Sequence, residues 1–429
     1  MGKFLRVVVI VLLFVLPAKT FATVTLTGSL SAFSTTYGTA SASQSFTVSA
    51  SGVTNSTFVV IAPTGYEVSL DNSNFNGFLS IPVVSGAVPT TTVYIRLAKT
   101  ADAGTYAGSV FAAEIFIIFP VQSATMNMPS GTVNPYPITI KANDVHKTYG
   151  QTLSGSAGST AYTITSGTLQ NSETMGSVTI AYGAGAAATA AAGTYTGSVT
   201  PSAATGGTFD PNNYAITYAT GNLIVDKAAI TITANTVHKT YGQTLTGAAG
   251  STAYAITSGS LKNSETIGSI TIAYGAGAAA TATAGTYTGS ITPSAATGGT
   301  FSASNYTISY ATGDLIIDKA AITITANTVH KTYGQTLTGA AGSTAYTITS
   351  GTLQNSETIG SITIAYGAGA AATATAGTYT GSITPSAATG GTFNASNYTI
   401  SYATGDLIID KAAITITANT VHKTYGQAL

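Results

Sequence analysis

The sequence predicts an all-β protein, mostly antiparallel, built from small sandwich-like modules set in tandem. Three observations carry that expectation. Ile, Val and Tyr alternate with Thr through much of the chain, the period of a strand with one apolar face. Charged residues make up 7% and hydrophobic residues 44%, a balance that favours folded β-structure over disorder. The heptapeptide Val-His-Lys-Thr-Tyr-Gly-Gln recurs at 145–151, 237–243, 329–335 and 421–427, a step of 92 residues each time. That step exceeds the roughly 20–50 residues of solenoid repeats and is long enough for a small domain with its own core.

Composition narrows the function. The net charge is zero, so nothing electrostatic favours nucleic acid or an anionic membrane as partner. The chain has no Cys, which removes disulfides, thiolate chemistry and most structural zinc sites. Each module must be held by strand pairing and apolar burial.

Residues 1–22 read as a signal peptide. Lys3 and Arg6 precede the apolar run Val7 to Leu16, which is too short to span a bilayer. Pro17 breaks the run, and Thr20-Phe21-Ala22 supplies small residues at the cleavage positions. The mature chain is expected to begin near Thr23 and to act outside the cytoplasm.

Residues 23–135 lack the repeat and predict a separate antiparallel sandwich. Their strand signals are Phe46-Thr47-Val48, Phe58 to Ile61, Tyr66 to Leu70 and Thr92 to Leu97, with breakers at Pro63-Thr64-Gly65 and Asn76-Gly77. Val110 to Val121 reads as one buried strand followed by a bend, and Glu114 within it is unexplained by the pattern. Asp71 to Gly77 has a superficial likeness to a calcium loop. Its twelfth position, counted from Asn72, is Val83 rather than a bidentate Glu, so a polar turn is expected.

The repeats divide as 136–228, 229–320 and 321–412, with the start of a fourth at 413–429. In the third, Ile322, Ile324 and Ala326 alternate with Thr, and Tyr346 to Thr349 is a second strand. Leu353 to Ile359 is a turn. Ile362, Ile364 and Tyr366 alternate; Gly367 to Gly377 is an Ala/Gly/Thr loop. Tyr379, Gly381 and Ile383 form a strand that Pro385 is expected to stop. Tyr398, Ile400 and Tyr402 precede Thr404-Gly405-Asp406, which reads as the turn of a hairpin returning through Leu407 to Asp410. Six or seven strands and no helix follow, in a sandwich; a β-grasp-like sheet over the 353–359 turn is the alternative. Joints such as Ile317 to Ile322 contain no flexible tether, which predicts a semi-rigid array. Copies 229–320 and 321–412 differ at only four positions, the mark of recent duplication. A lone first strand at 413–429 cannot bury its face, so the natural protein is expected to continue.

With Tyr-Gly-Gln after a first strand, Asn-Ser-Glu-Thr in mid-unit and the closing Asn-Tyr-Thr-Ile-Ser-Tyr and Gly-Asp-Leu, the unit resembles the MBG domain family of YGX type over residues 136–429. Residues 29–110 are similar to a sandwich domain of secreted Bacteroidetes proteins. The matching stretches are Phe33 to Gly38, Ala62 to Val68 and Ala103 to Gly108. The resemblance implies a bacterial surface stalk or adhesin segment and carries no catalytic residue. It suggests glycans or proteins of a host or environment as partners.

No cofactor, metal or catalytic residue is expected. His146, His238, His330 and His422 lie one per unit and cannot converge on one ion in a tandem array; within a unit, Glu357 and Asp410 are the main acidic companions. Gly183 to Ala188 fits a loose dinucleotide-loop pattern, but strand signal returns at Thr194-Tyr195 and leaves no room for a crossover helix. An isopeptide crosslink through Lys319 or Lys411, with Glu265 or Glu357 as proton shuttle, is conceivable in a Cys-free rod. Loose surface pairing of those lysines is the plainer expectation. The 24 Tyr could stack on sugars, yet their alternation points first to packing.

Overall fold

The computed structural model describes residues 23–428, apart from 56, 117 and 118. The signal segment read at 1–22 lies outside the described residues. The described residues form two compact units: those up to 147 with 151–226, and 148–150 with those from 227 onward.

The first unit begins with a sandwich. One four-stranded sheet runs in the order Thr23–Thr27, Gln44–Ser51, Ala87–Leu97, Tyr66–Ser69. A second runs Phe119–Asn127, Ser109–Phe116, Thr57–Ile61, Phe78–Pro82. A small third sheet places Gly131–Asn134 between Phe33–Thr36 and Gly104–Tyr106, parallel to the former and antiparallel to the latter. Phe46, Val48, Phe58, Val60, Val93 and Ile95 bury one face of their strands, the alternation the sequence shows.

Each repeat has the same two sheets, described here for the third. The three-stranded sheet orders Tyr346–Ser350, Ala320–Ala326, Tyr398–Ala403. The five-stranded sheet orders Val329–Thr332, Gly405–Asp410, Gly377–Gly391, Ile359–Tyr366, Ala340–Ser343. Ile322, Ile324, Ile362, Ile364, Ile383 and Leu407 are buried between them. Each such side chain contributes about 1.5–3 kcal/mol on leaving water, and this burial holds a module that has no disulfide.

The all-β class stands. Among the described residues the helical turns are three residues long, so the β-grasp alternative, which needs a helix over the sheet, does not apply. Four details differ from the sequence reading. A repeat has eight strands, because Val329–Thr332 and Ala340–Ser343 also pair. Val110 to Val121 is not one strand and a bend, since Ser109–Phe116 pairs antiparallel with Phe119–Asn127.

The closing hairpin is not a hairpin. Tyr398–Ala403 pairs in parallel with Ala320–Ala326, whereas Gly405–Asp410 joins the other sheet. One residue, Thr404, separates the two strands, too few for a two-residue turn, so the chain steps between layers. Gly405 permits the step: a Cβ there would overlap the Ala326 carbonyl oxygen.

Nor does Pro385 stop its strand, which continues to Gly391. Pairing with Gly405–Asp410 ends at Ile383, so Pro385 has a strand neighbour on one side only, where its missing N–H costs nothing. A bulge follows, with Ala387 at φ 51°. The Ala388 N–H beside it donates at 2.8 Å to the Tyr402 hydroxyl of the other sheet.

Candidate functional site: a tyrosine joint between modules

Tyr241 ends the strand Val237–Thr240, which pairs in parallel with Gly313–Asp318. Its N–H donates to the Asp318 carbonyl at 2.9 Å. Only Lys319 separates that strand from Ala320–Ala326 of the following repeat. The Tyr241 side chain is therefore delivered to the next module, where it is 4% exposed and clusters with the buried Ile322, Ile359 and Tyr398.

The receiving side is one turn and one strand start. Glu357 N–H closes the turn onto the Gln354 carbonyl at 2.9 Å, with Asn355 and Ser356 both left-handed at φ 52° and 58°. Asn and Ser adopt that region more readily than branched residues, which explains Asn-Ser at these positions. The turn aims Glu357 between two tyrosines. Tyr241 donates to Oε1 at 2.6 Å and Tyr398 donates to Oε2 at 2.6 Å. The rings meet edge to face, with centroids 5.6 Å apart and planes at 77°. The Gln354 N–H donates in turn to the Tyr398 hydroxyl at 2.8 Å.

Two amides add to the joint. The buried Asn397 accepts from the Ala284 N–H at 3.0 Å, and Asn355 donates to the Ala280 carbonyl at 3.1 Å. Burial first, and then the neighbouring carboxylate, raise the Tyr241 hydroxyl above its ordinary range; the same causes act more strongly on Tyr398. Both hydroxyls are thus held as donors at neutral pH.

The arrangement repeats. In the second unit, Tyr149 donates to Glu265 Oε1 and Tyr306 to Glu265 Oε2, both at 2.6 Å. In the first unit the N-terminal sandwich uses the same device. Tyr37 follows Phe33–Thr36 and donates to Glu173 Oε1 at 2.5 Å, while Tyr214 donates to Oε2 at 2.6 Å. The Ala103 N–H donates to Asn213 at 2.7 Å. A sandwich with a different sequence therefore engages the first repeat through the chemistry that joins repeat to repeat. Sequence reasoning took the tyrosines first as packing residues, with sugar stacking as the alternative, and not as hydrogen-bond donors between modules. The available signal was Thr-Tyr-Gly, present at 36–38 as well as in every repeat, together with a Glu 116 residues after the repeat tyrosines Tyr149 and Tyr241 and 136 after Tyr37.

The glycine after the tyrosine has its own reason. Gly242 sits at φ 92°, and a Cβ on it would overlap the Gln354 side chain, which lies across it. Gly38 and Gly150 are covered in the same way by Gln170 and Lys262.

The structure places the other candidates elsewhere. His146, His238 and His330 each meet one carboxylate, on Asp226, Asp318 and Asp410, at 3.0–3.2 Å on the surface. His330 thus meets Asp410 and not Glu357. Among the described residues no three His, Asp or Glu side chains cluster. His422 lies in 411–428, which forms no strand. Lys319 and Lys411 are exposed, whereas Lys147, Lys239 and Lys331 are the buried lysines. Lys239 donates to the carbonyls of Gln243, Ala278 and Ala279 at 2.5–3.1 Å, and burial lowers the pKa of its ammonium.

The loop at Gly183 to Ala188 serves the same end, since the Ala186 and Ala187 carbonyls take Lys147 Nζ. It presents oxygens to a cation, the reverse of a phosphate loop, which presents N–H groups. Asp71 closes its own turn by accepting from Ser69, Ser73 and Asn74, hydrogen bonds that hold its carboxyl below the usual range. Glu114 also finds its role. Its Oε1 accepts from the backbone and side chains of Thr54 and Asn55 at 2.6–2.8 Å. Burial would push this carboxyl up, but those bonds together hold it below its ordinary value.

Two-sheet β-modules that follow one another through a recurring side-chain joint define a tandem-domain repeat protein. The family model for the MBG domain (YGX type) matches residues 138–224, 230–316 and 322–408, and the chain belongs to that family. A solved structure described as the Bacillus anthracis TIE protein is similar at 10% identity, over 92% of this chain and 75% of that one, with a TM-score of 0.24. No curated protein matches.

Proposed function

We propose that the protein is a non-enzymatic, exported spacer: a stalk or adhesin segment at the cell surface whose modules are fixed in succession by the tyrosine joint. The observation that carries this reading is the Tyr241 to Glu357 hydrogen bond, with its counterparts at Glu173 and Glu265. A carboxylate shared by two tyrosines, flanked by two amide contacts, resists both separation and rotation of one module on the next. A linker of the single residue Lys319 works in the same direction. The acidic and basic side chains with named partners serve structure: Glu357 in the joint, Glu114 in a turn, Lys239 in a loop. The apolar run at Val7 to Leu16 supports export. Small-angle scattering of the chain tests the reading. A globular protein of 429 residues would have a radius of gyration of about 22 Å. A spacer is expected clearly above that, and a value near the globular one refutes it.

A second reading, in which the N-terminal sandwich is a glycan- or protein-binding head, is favoured by one feature. An open cavity of about 390 Å³ there is lined by Glu67, Asp102 and Tyr106 among others. A glycan array probed with the whole chain, compared with a Tyr106→Ala variant, tests it. No hit, or hits that the variant retains, argue against this cavity as the site.

A further inference from the structure

The three-stranded sheet of the third repeat ends on Tyr398–Ala403, which pairs with Ala320–Ala326 on one side and with no strand on the other. An open edge is a template for a further strand, and proteins commonly blunt it with charge, proline, a bulge or brevity. The other sheet ends among the described residues are blunted or covered. In the third repeat Val329–Thr332 is short and carries His330 and Lys331, and Ala340–Ser343 is short with a broken register. The pairing of Tyr346–Ser350 skips Thr349, a bulge. In the N-terminal sandwich Tyr66–Ser69 carries Glu67, and Phe78–Pro82 ends on proline. Phe33–Thr36 and Gly104–Tyr106 are short, and Thr23–Thr27 packs beside Phe119–Asn127. Tyr398–Ala403 has six residues, no charge, no proline and an unbroken register. Tyr214–Ala219 and Tyr306–Ala311 hold the same place in their repeats. Uncharged, β-prone segments of this length are the kind that pair edge to edge.

We propose that this edge pairs antiparallel with the same edge of a second copy of the chain, about a two-fold axis at Ile400. The occupant is read from the strand itself, because Tyr398-Thr399-Ile400-Ser401-Tyr402 is nearly a palindrome. Centred on Ile400, the partner strand places Tyr398 opposite Tyr402, Thr399 opposite Ser401 and Ile400 opposite Ile400. Directly opposite side chains share a face, so the exposed Thr399 and Ser401 meet on the outer face while Tyr and Ile continue the inner one. Tyr306 to Tyr310 has the same five residues, and Tyr214 to Tyr218 keeps Tyr-x-Ile-x-Tyr. A two-fold contact uses one patch on both partners, a condition that a palindromic strand meets alone. One edge of this length falls below the roughly 1,200 Å² of a stable interface, so a single contact is weak, and the other repeats supply further contacts of the same kind. With a net charge of zero, long-range repulsion does not oppose the second copy. The proposal stands independently of the tyrosine joint.

Sedimentation velocity of the chain at concentrations up to about 1 mM, the range of weak contacts, should show reversible association. A monomer throughout overturns the proposal. Thr399→Lys with Ser401→Lys, repeated at the counterpart positions of the other repeats, sets lysine opposite lysine and should weaken association at least about tenfold. The same number of lysines through Thr347→Lys and Thr349→Lys, on the bulged edge of that sheet, with their counterparts, should change it less than about twofold. Equal loss in both sets assigns the effect to net charge and overturns the proposal. Because the chain has no Cys, introduced thiols report the register. Chains carrying Thr399→Cys mixed with chains carrying Ser401→Cys should form disulfide-linked dimers at least about threefold faster than either alone, since only the mixture sets two thiols directly opposite. Association without that preference overturns the pairing centred on Ile400, and this measurement decides even where a lysine variant fails to fold.

Discussion

Tyr241 and Glu357 stand 116 residues apart in the chain, and the Tyr241 hydroxyl donates to Glu357 Oε1 at 2.6 Å. The bond takes its weight from what surrounds it. Glu357 has a second tyrosine on its other oxygen, and Tyr241 is buried in a module other than the one that bears it. Loss of either partner leaves a part-buried polar atom without its protein partner, the costly direction of hydrogen-bond energetics.

Tyr241→Phe removes one donor and keeps the ring. We expect a loss of about 1–3 kcal/mol in the coupling of repeats two and three. Denaturant unfolding, with hydrogen exchange to localise the change, measures it. Glu357→Gln keeps an acceptor and should cost less. In a double-mutant cycle the pair should show a coupling energy of about 0.5–3 kcal/mol. A coupling indistinguishable from zero would mean that the rings alone make the joint.

Alkaline pH should open the joints. The Tyr214, Tyr306 and Tyr398 hydroxyls are raised well above their ordinary value of 10.0 by burial and by the carboxylate each one contacts. A group whose pKa is raised by folding contributes stability that is fully present below its unfolded value and is lost as pH rises through the folded one. Tyrosinate absorbance should therefore show a class of tyrosines that ionises only together with unfolding above pH 10. Complete, reversible titration near pH 10 with the fold intact would contradict the burial of these rings.

Gly242→Ala places a side chain at φ 92° and against Gln354. The backbone strain alone is about 1–2 kcal/mol. Because the Gln354 side chain is flexible, part of the clash can relax, and Gln354→Ala in the same chain should recover some of the loss. Thermal unfolding of the single and double variants checks this. No recovery would reduce the role of the glycine to backbone conformation.

Glu114→Ala removes the acceptor that the Thr54 and Asn55 N–H groups share at Oε1, and we expect a cost of about 1–3 kcal/mol. The sign with pH follows from the lowered pKa of Glu114. Its contribution is present above the unfolded carboxyl value and disappears as pH falls through the folded one. The gap between the parent chain and the variant should therefore be widest near neutrality and narrow in acid, as measured by urea unfolding across pH. An unchanged gap at low pH would show that shape, and not charge, matters at this site.

Much of the molecule was legible in the sequence because period-two alternation is a local property. Ile322, Ile324 and Ala326 declare a buried strand face wherever they are placed, and the return of Tyr-Gly-Gln every 92 residues fixes the number of modules. What misled were features whose meaning depends on a neighbour. Thr404 to Asp406 has the composition of a turn, yet its two strands belong to different sheets. Pro385 looks like a terminator, yet it lies where no second strand needs its N–H. Lys331 looks like a solvated cation, yet it is buried among carbonyls that come from 4, 39 and 40 residues away.

The sequence by itself determined the strands with a clear apolar alternation, their buried faces and the succession of like modules, since each follows from side-chain period and repetition; the short strands Val329–Thr332 and Ala340–Ser343 needed the structure. Only the tertiary structure decided that Tyr241 serves the module after its own and that Glu357 is its receiver. Hydrogen bonds over such separations are set by how two finished modules meet, and no local pattern records that.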